Sequence, residues 1–239
     1  TPLAANATSL TINGVGFSTT PGSNLVTFNN GAVGTVTAAT VNSLTVTLSV
    51  RPTVADNLTV VVSSNGVSSG APVQVASVIP VVTSNIANLA ANATTLLING
   101  FGFSAVPGDN LVTLSNGAQG TVTGASATTL TVSLTTRPTS SGPFTAVVTT
   151  NTRSSGDPVQ VATVIPVVTS STAILDANAL TLVINGFGFS TVLGDNVVTF
   201  DNGAEGNVTL ASPNSITVTF TENPVSAGPL FASVEIDGV

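Results

Sequence analysis

The chain has 239 residues and a net charge of −7, and it contains no Cys, His, Met, Trp or Tyr and only three cationic side chains, all Arg. Without Cys, His and Lys, the sequence excludes thiol and imidazole chemistry, Schiff bases and soft metal sites. Three arginines cannot neutralise a phosphate backbone, which argues against nucleic-acid binding. The apolar stretch at residues 73–82 is too short and too interrupted to predict a membrane span.

The acidic residues collect in the last third of the chain. Residues 1–79 and 80–165 are each neutral, whereas residues 166–239 carry all seven excess negative charges. The simpler interpretation is drift of a solvated surface between copies of one domain. The alternative is that the last third binds a cation or a partner different from that of the other two.

In chain order, the first elements are short strands joined by tight turns. Leu10 and Ile12 alternate with polar residues, and residues 44–48 alternate in the same way, which predicts strands with one buried face. The Asn-Gly pair at residues 30–31 follows a strand at 24–28 and predicts a tight hairpin. Strong helix formers are scarce, so we expect an all-β chain.

These elements return with a fixed offset of 86 residues. The segment Ile-Asn-Gly-Val-Gly-Phe at 12–17 returns as Ile-Asn-Gly-Phe-Gly-Phe at 98–103 and 184–189, without any insertion. A fixed period means that one folding unit is used three times. In the second copy the pattern predicts seven strands, near residues 80–86, 94–99, 110–114, 120–124, 129–135, 144–150 and 158–165. Seven short strands with turns every ~8–12 residues are typical of an immunoglobulin-like sandwich.

We therefore predict an all-β chain of tandem immunoglobulin-like β-sandwich domains, in three repeats of 86 residues of which the last is incomplete. Repeat 1 covers residues 1–79 and lacks most of its first strand, repeat 2 covers 80–165, and repeat 3 covers 166–239 and lacks its last strand. No Gly/Ser-rich spacer separates the repeats. We expect limited flexing and an elongated rod.

The two ends of the chain are out of phase with the repeat. The simplest expectation is that the sequence is an excerpt from a longer array. The alternative is that each incomplete sandwich accepts a strand from a neighbouring chain, because an exposed sheet edge can pair with an added strand.

The repeated motifs resemble the IPT/TIG domain. The resemblance rests on the Gly-x-Gly-Phe element at 14–17, 100–103 and 186–189, followed by Val-Thr-Phe and Asn-Gly-Ala at 198–204. It implies an immunoglobulin-like fold without catalytic residues. Members of the family include parts of bacterial surface proteins, spacers in secreted carbohydrate enzymes, receptor ectodomains and transcription factors. Near-identical tandem copies with few charges resemble the repeats of large bacterial surface proteins.

Calcium is the one metal that the available ligands would suit, because they are carboxylates and carbonyls. The candidates are Asp109, Asp195, Asp201 and Glu205. The corresponding positions of repeat 1 carry no carboxylate, and the strand between Asp195 and Asp201 separates them by about 20 Å. We therefore expect loop charges and no metal site. We predict no catalytic residue and no cofactor.

Phe101 and Phe187 interrupt the pattern of buried Phe residues, because repeat 1 has Val15 at the same position. They are interpreted either as packing at a domain junction or as exposed rings that bind a partner.

The sequence thus predicts a non-enzymatic structural protein of the bacterial cell surface, acting as an adhesin stalk or an extracellular filament subunit. The alternative is a carbohydrate- or ligand-binding module of a secreted enzyme or adhesin. Expected partners are further copies or neighbouring repeats, or surface glycans and host-cell partners; nucleic acid is not expected.

Overall fold

The computed structural model describes residues 1–238, whose helical elements are three short 3-10 turns at Pro21–Ser23, Pro107–Asp109 and Leu193–Asp195. None of the described residues forms a helix long and apolar enough to cross a membrane. Repeat 1 contains strands β1 Pro2–Ala4, β2 Ser9–Asn13, β3 Asn24–Phe28, β4 Val33–Ala39, β5 Ser43–Val50, β6 Asn57–Ser64, β7 Val67–Ser68 and β8 Val73–Ile79.

Repeat 2 shows the unit in its fullest form. Its strands are β9 Val81–Val82, β10 Asn88–Ala90, β11 Thr95–Phe101, β12 Asn110–Leu114, β13 Gln119–Ala125, β14 Thr129–Thr136, β15 Gly142–Thr150, β16 Arg153–Ser154 and β17 Val159–Ile165. One sheet has the order β13-β14-β11-β9, and the other has β10-β17-β15-β12, with β16 paired to β15. Apart from β10 and the short β16, this is the four-plus-three strand order of an immunoglobulin-like sandwich.

Repeat 3 contains β18 Val167–Val168, β19 Thr181–Phe187, β20 Asn196–Phe200, β21 Glu205–Ser212, β22 Ser215–Glu222 and β23 Ala232–Ile236. Its sheets are β18-β19-β22-β21 and β20-β23, and those of repeat 1 are β2-β5-β4 and β1-β8-β6-β3, with β7 paired to β6. The prediction of an all-β chain of tandem immunoglobulin-like sandwiches is confirmed.

Each repeat has its own apolar core between its two sheets. In repeat 2, Ile98 and Phe103 are fully buried, whereas Leu97, which lies between core positions on β11, is 53% exposed. Thr11 and Val183 occupy the same outward position in the other copies and are also exposed. The strict alternation thus separates a buried face from a solvent face, as a period of two requires.

The first strand of the repeat differs from its prediction. The sequence predicts one strand over residues 80–86, but the chain divides into β9 and β10, which lie in different sheets. β9 pairs antiparallel with β11, and β10 pairs parallel with β17. The chain therefore crosses from one sheet to the other between Val82 and Asn88, and it joins both sheets near the start of the domain.

Candidate functional site

Successive repeats are joined by one residue. Pro80 separates β8 from β9, and Pro166 separates β17 from β18. Proline fixes its own φ and restricts the residue before it, so each connection has little freedom. We call the contact between repeats 1 and 2 junction 1, and the contact between repeats 2 and 3 junction 2.

Both junctions stack an arginine of one repeat on a phenylalanine of the next. The guanidinium carbon of Arg51 lies 5.2 Å from the ring centroid of Phe101, and that of Arg137 lies 5.3 Å from Phe187. A cation over a ring at this distance contributes about 0.5–1 kcal/mol at an exposed site. The structure therefore places Phe101 and Phe187 at the junctions, half-buried and in packing contact with the preceding repeat.

At junction 1 the two backbones touch at Gly102. This glycine has φ +76°, and a Cβ on it would lie 2.5 Å from the Cβ of Ala5. Its carbonyl accepts a hydrogen bond from the N–H of Ala55 at 2.8 Å. The carbonyl of Ala55 in turn accepts one from the side-chain amide of Asn151 at 3.2 Å. The second glycine of the Gly-x-Gly-Phe motif is therefore required both by its φ and by the neighbouring repeat.

Junction 2 repeats the glycine contact with a different donor. Gly188 has φ +77°, and a Cβ on it would lie 2.6 Å from the Cβ of Ala91. Ser141 donates twice to the Gly188 carbonyl, from its N–H at 3.2 Å and its hydroxyl at 2.7 Å.

Arg153 adds a clamp that is specific to junction 1. From β16 of repeat 2 it reaches back to repeat 1, where its Nη1 lies 3.3 Å from a carboxylate oxygen of Asp56. Its Nε donates to the hydroxyl of Ser77 at 2.9 Å, and its Nη2 donates to the side-chain oxygen of Asn57 at 2.7 Å. Because Asp56 is 57% exposed, the ion pair contributes at most about 1 kcal/mol. The hydrogen bonds add about 0.5–1.5 kcal/mol each.

The residues that form this clamp do not recur one repeat later. Gly142 and Pro143 stand where repeat 1 has Asp56 and Asn57, and repeat 3 has Val239 in sequence where repeat 2 has Arg153. Within residues 1–238, the one ion pair between side chains is that of Arg153 and Asp56. The two junctions thus share their stacking and glycine contacts but differ in electrostatics.

A groove of about 480 Å³ lies beside junction 1. Its walls include Arg51, Phe101, Pro52 and Thr128. No carboxylate lines this groove, so it holds no pair of groups for general acid–base hydrolysis.

Three of the four calcium candidates accept a hydrogen bond from a nearby group, and the fourth, Glu205, faces another acidic residue. Asp109 and Asp195 each accept a hydrogen bond from a serine hydroxyl five residues earlier, at 2.9 and 2.8 Å. Asp201 accepts one from the N–H of Phe231 at 2.8 Å, and Glu205 lies opposite Glu222 on the neighbouring strand. Among the described residues, no three acidic side chains converge on one point. The expectation of loop charges without a metal site stays a prediction.

A buried asparagine at the start of β12 is a structural residue that sequence reasoning missed. Asn110 is 6% exposed, and its side-chain oxygen accepts from the N–H of Ser104 and the hydroxyl of Thr150. Its amide donates to the carbonyls of Ser104 and Val106. This network fixes the loop before β12, and its signal in the sequence is the recurrence of asparagine at Asn24 and Asn196.

The outer face of repeat 3 carries an exposed aromatic ring. Of the ten Phe residues, nine are buried or half-buried, whereas Phe231 is 68% exposed. It precedes β23 and lies opposite Asp201, with which it exchanges two hydrogen bonds. Repeats 1 and 2 have Thr59 and Thr145 at this position. Thr59 pairs with Gln74 on β8 and Thr145 with Gln160 on β17, whereas among residues 1–238 no strand of repeat 3 takes that place beside Phe231.

The strand order, the separate cores and the one-residue connections define a protein of tandem immunoglobulin-like sandwiches. More particularly, residues 1–76 match the family model of the IPT/TIG domain. The resemblance inferred from the Gly-x-Gly-Phe element is confirmed for repeat 1.

Comparison with curated protein sequences gives no match. Among solved structures, the chain is similar to InvD of Yersinia pseudotuberculosis, with 17% identity and a TM-score of 0.28 over 98% of this chain and 81% of InvD. The S-layer protein rSbsC(31-844) gives 16% identity and a TM-score of 0.24, over 91% of this chain and 30% of rSbsC. Titin domains I67–I69 give 14% and 0.25, over 99% and 90%. Scores this low carry no argument about function.

Proposed function

We propose that this chain is a non-enzymatic structural segment of a bacterial cell-surface protein, acting as an adhesin stalk or as part of an extracellular filament. The observation that carries the proposal is the construction of the junctions. Each uses one proline as the connection, an Arg–Phe stack and a glycine contact, so neighbouring repeats are held by several contacts at once.

Such junctions suit a structural segment that keeps its two ends at a fixed distance. A flexible linker lets domains move independently, whereas a one-residue connection with side-chain contacts resists bending. Because the contact set is repeated from one junction to the next, length is added by adding repeats. The recurrence of the same buried residues in each copy supports a structural role for each repeat.

The surface chemistry supports the non-enzymatic part of the proposal. Cys, His and Lys are absent from the sequence, and the groove beside junction 1 is lined by no carboxylate. A surface protein would meet further copies of itself, neighbouring repeats or host-cell partners. Its faces carry few charges, which reduces the desolvation cost of lateral contact.

The test is negative-stain electron microscopy of the native material, together with small-angle scattering and sedimentation of the purified chain. Filaments with a regular spacing would support a filament subunit, and monodisperse elongated particles would support a stalk. Compact or freely bending particles would contradict the proposal, because the junctions would then not hold the repeats in line.

The non-enzymatic role is tested separately on a panel of glycoside and peptide substrates. We expect no turnover. A hydrolase activity that is lost when a single carboxylate, such as Asp201, is changed to Asn would overturn this part of the proposal.

A further inference from the structure

The three arginines of the chain differ in the residue that follows them. Proteases of the trypsin type cut after Arg or Lys, because an acidic group in their specificity pocket pairs with the cation. The chain has no Lys, and Arg51 and Arg137 each precede a buried proline. A proline at that place blocks cleavage, since it has no N–H and its ring fixes the backbone. The bond between Arg153 and Ser154 is therefore the one bond of this sequence that such a protease can cut.

The backbone around this bond does not have the shape of a protease substrate. Arg153 lies on β16 and pairs with Thr150 on β15. The two residues before it, Asn151 and Thr152, have φ of +48° and +68°. A protease cleft binds an extended backbone, whereas these two residues form a left-handed turn. The turn and the strand pair must open before the bond can enter a cleft.

The side chain of Arg153 is also withheld from a specificity pocket. It is only 20% exposed, and its guanidinium group contacts Asp56, Asn57 and Ser77 of repeat 1 at 3.3, 2.7 and 2.9 Å. A specificity pocket surrounds the whole arginine side chain. Cleavage therefore requires that repeat 1 first release this side chain.

We propose that the bond between Arg153 and Ser154 is a cleavage site for an arginine-specific serine protease, and that the clamp at junction 1 controls its cleavage. The closed clamp protects the bond, and opening of the junction together with detachment of β16 exposes it. β16 contains two residues, so its detachment breaks few backbone hydrogen bonds. The cleavage rate follows the population of opened molecules when opening and closing are fast relative to cleavage.

The reaction consumes one water molecule and needs no co-reactant besides the protease. The serine of the protease attacks the carbonyl carbon of Arg153, and the bond from that carbon to the nitrogen of Ser154 breaks. Ser154 leaves with a proton as a new amino terminus. Water then attacks the acyl-enzyme and releases Arg153 as a carboxylate.

The cut leaves the two pieces of repeat 2 held together by strand pairing. β17, which follows the cut, pairs with β10 and with β15, and both of these strands precede the cut. Val161 and Val164 of β17 are buried in the core of repeat 2. Residues 154–239 therefore stay bound through one strand, and a pull on repeat 3 withdraws that strand. Cleavage thus creates a point at which the chain separates under force.

This inference goes beyond the proposed structural role and does not depend on it. It rests on the contacts of Arg153, and digestion measures it without reference to filaments or stalks. Scattering and microscopy test the structural role, so either proposal can fail alone. If both hold, bending or stretching at junction 1 makes the stalk open to cleavage.

The test is limited digestion of the purified full chain with trypsin, followed over time and with the fragments identified by mass spectrometry. We expect slow cleavage of the folded wild-type chain after Arg153 alone, which gives fragments 1–153 and 154–239. The two fragments should elute together in size-exclusion chromatography and separate in urea.

A double variant opens the clamp without removing the cleavage site. Asp56→Asn with Ser77→Ala removes the ion pair and one acceptor, and the new amide keeps an acceptor for the N–H of Asn57. Cleavage after Arg153 should become about tenfold faster, because a larger fraction of molecules is open. Arg153→Gln should abolish cleavage.

Two controls separate opening of the clamp from general loss of stability. Ile12→Val weakens the core of repeat 1 by deleting a buried methyl group away from the clamp, and it should leave the cleavage rate nearly unchanged. Arg137→Leu alters junction 2 alone and should also leave the rate unchanged.

Four results would overturn the proposal. They are cleavage of the folded wild-type chain after Arg51 or Arg137, equal rates for the wild type and the double variant, an equal acceleration by Ile12→Val, and fragments that part without urea. Full resistance of the folded double variant counts as equal rates, because the fold of repeat 2 alone would then protect the bond.

Discussion

Junctions 1 and 2 are built from equivalent positions of one repeat, yet they are not equivalent contacts. Both have the Arg–Phe stack at nearly the same distance and a glycine pressed against an alanine of the preceding repeat. Junction 1 adds the clamp in which Arg153 contacts Asp56, Ser77 and Asn57.

The difference shows which junction residues the repeat requires and which it varies. The stack and the glycine contact belong to the copied unit, so they appear wherever one repeat follows another. The clamp needs an arginine on one repeat and its acceptors on the other. At junction 2 the acceptor side chains are missing, because Gly142 and Pro143 stand in place of Asp56 and Asn57. We therefore expect junction 1 to be stiffer than junction 2.

The largest effect is expected from a side chain at the glycine contact. Gly102→Val should destabilise the chain by about 1–2 kcal/mol through its positive φ and by about 1–3 kcal/mol more through the clash with Ala5. Gly16→Val is the matched control, because Gly16 has φ +77° but a Cβ on it would meet no other atom within 4 Å. Thermal and urea unfolding of both variants check this. Equal losses would show that the contact with Ala5 does not matter.

Removing the clamp should have the next largest effect, and only at junction 1. Arg153→Gln loses the ion pair and most of the hydrogen bonds to repeat 1, worth about 1–2 kcal/mol together. Because the sequence has no Cys, introduced cysteine pairs can carry fluorescent labels across each junction without interference. Single-molecule distance distributions should broaden across junction 1 and stay unchanged across junction 2. Broadening at both would contradict a local clamp.

Loss of an Arg–Phe stack should have a smaller effect than loss of the clamp, and the effect should be the same at both junctions. Arg51→Leu and Arg137→Leu each remove a cation from a Phe ring but keep an apolar side chain there, so each should loosen its own junction by about 0.5–1 kcal/mol. The same distance measurements apply. A much larger effect of one variant than of the other would show that the two stacks are not equivalent.

Salt should produce the smallest change. Raising the ionic strength to 1 M shortens the Debye length to about 3 Å and weakens the exposed pair of Arg153 and Asp56 by a few tenths of a kcal/mol. The distance distribution at junction 1 should widen slightly towards that of junction 2. An unchanged distribution would mean that the hydrogen bonds from Arg153 to the uncharged side chains of Ser77 and Asn57 hold the two repeats together.

Much of the fold could be predicted from the chain itself. Alternation along β2, β11 and β19 indicates which residues face the core, since a period of two leaves one choice once the apolar set is known. Comparison of the copies identifies Thr11, Leu97 and Val183 as surface positions, and all three are exposed. The split of the first strand into β9 and β10 could not be predicted, because a change of sheet depends on both partner strands being in place.

The candidate sites were less accessible to sequence reasoning. Phe101 is unusual within the repeat pattern, but its stacking with Arg51 requires the relative placement of two sandwiches. From the sequence, Arg153 can be recognised only as a positive charge. Its partners Asp56 and Asn57 cannot be predicted, because they lie almost one hundred residues away in the chain.

The sequence by itself determined the repeat, the strand pattern, the buried positions and the absence of Cys, His and Lys. Those properties are periodic or compositional, so they can be read without coordinates. The tertiary structure alone decided which equivalent residues meet across a junction. Contacts such as Asn151 with Ala55, 96 residues apart, depend on how one folded sandwich is oriented on another, and no local pattern encodes that orientation.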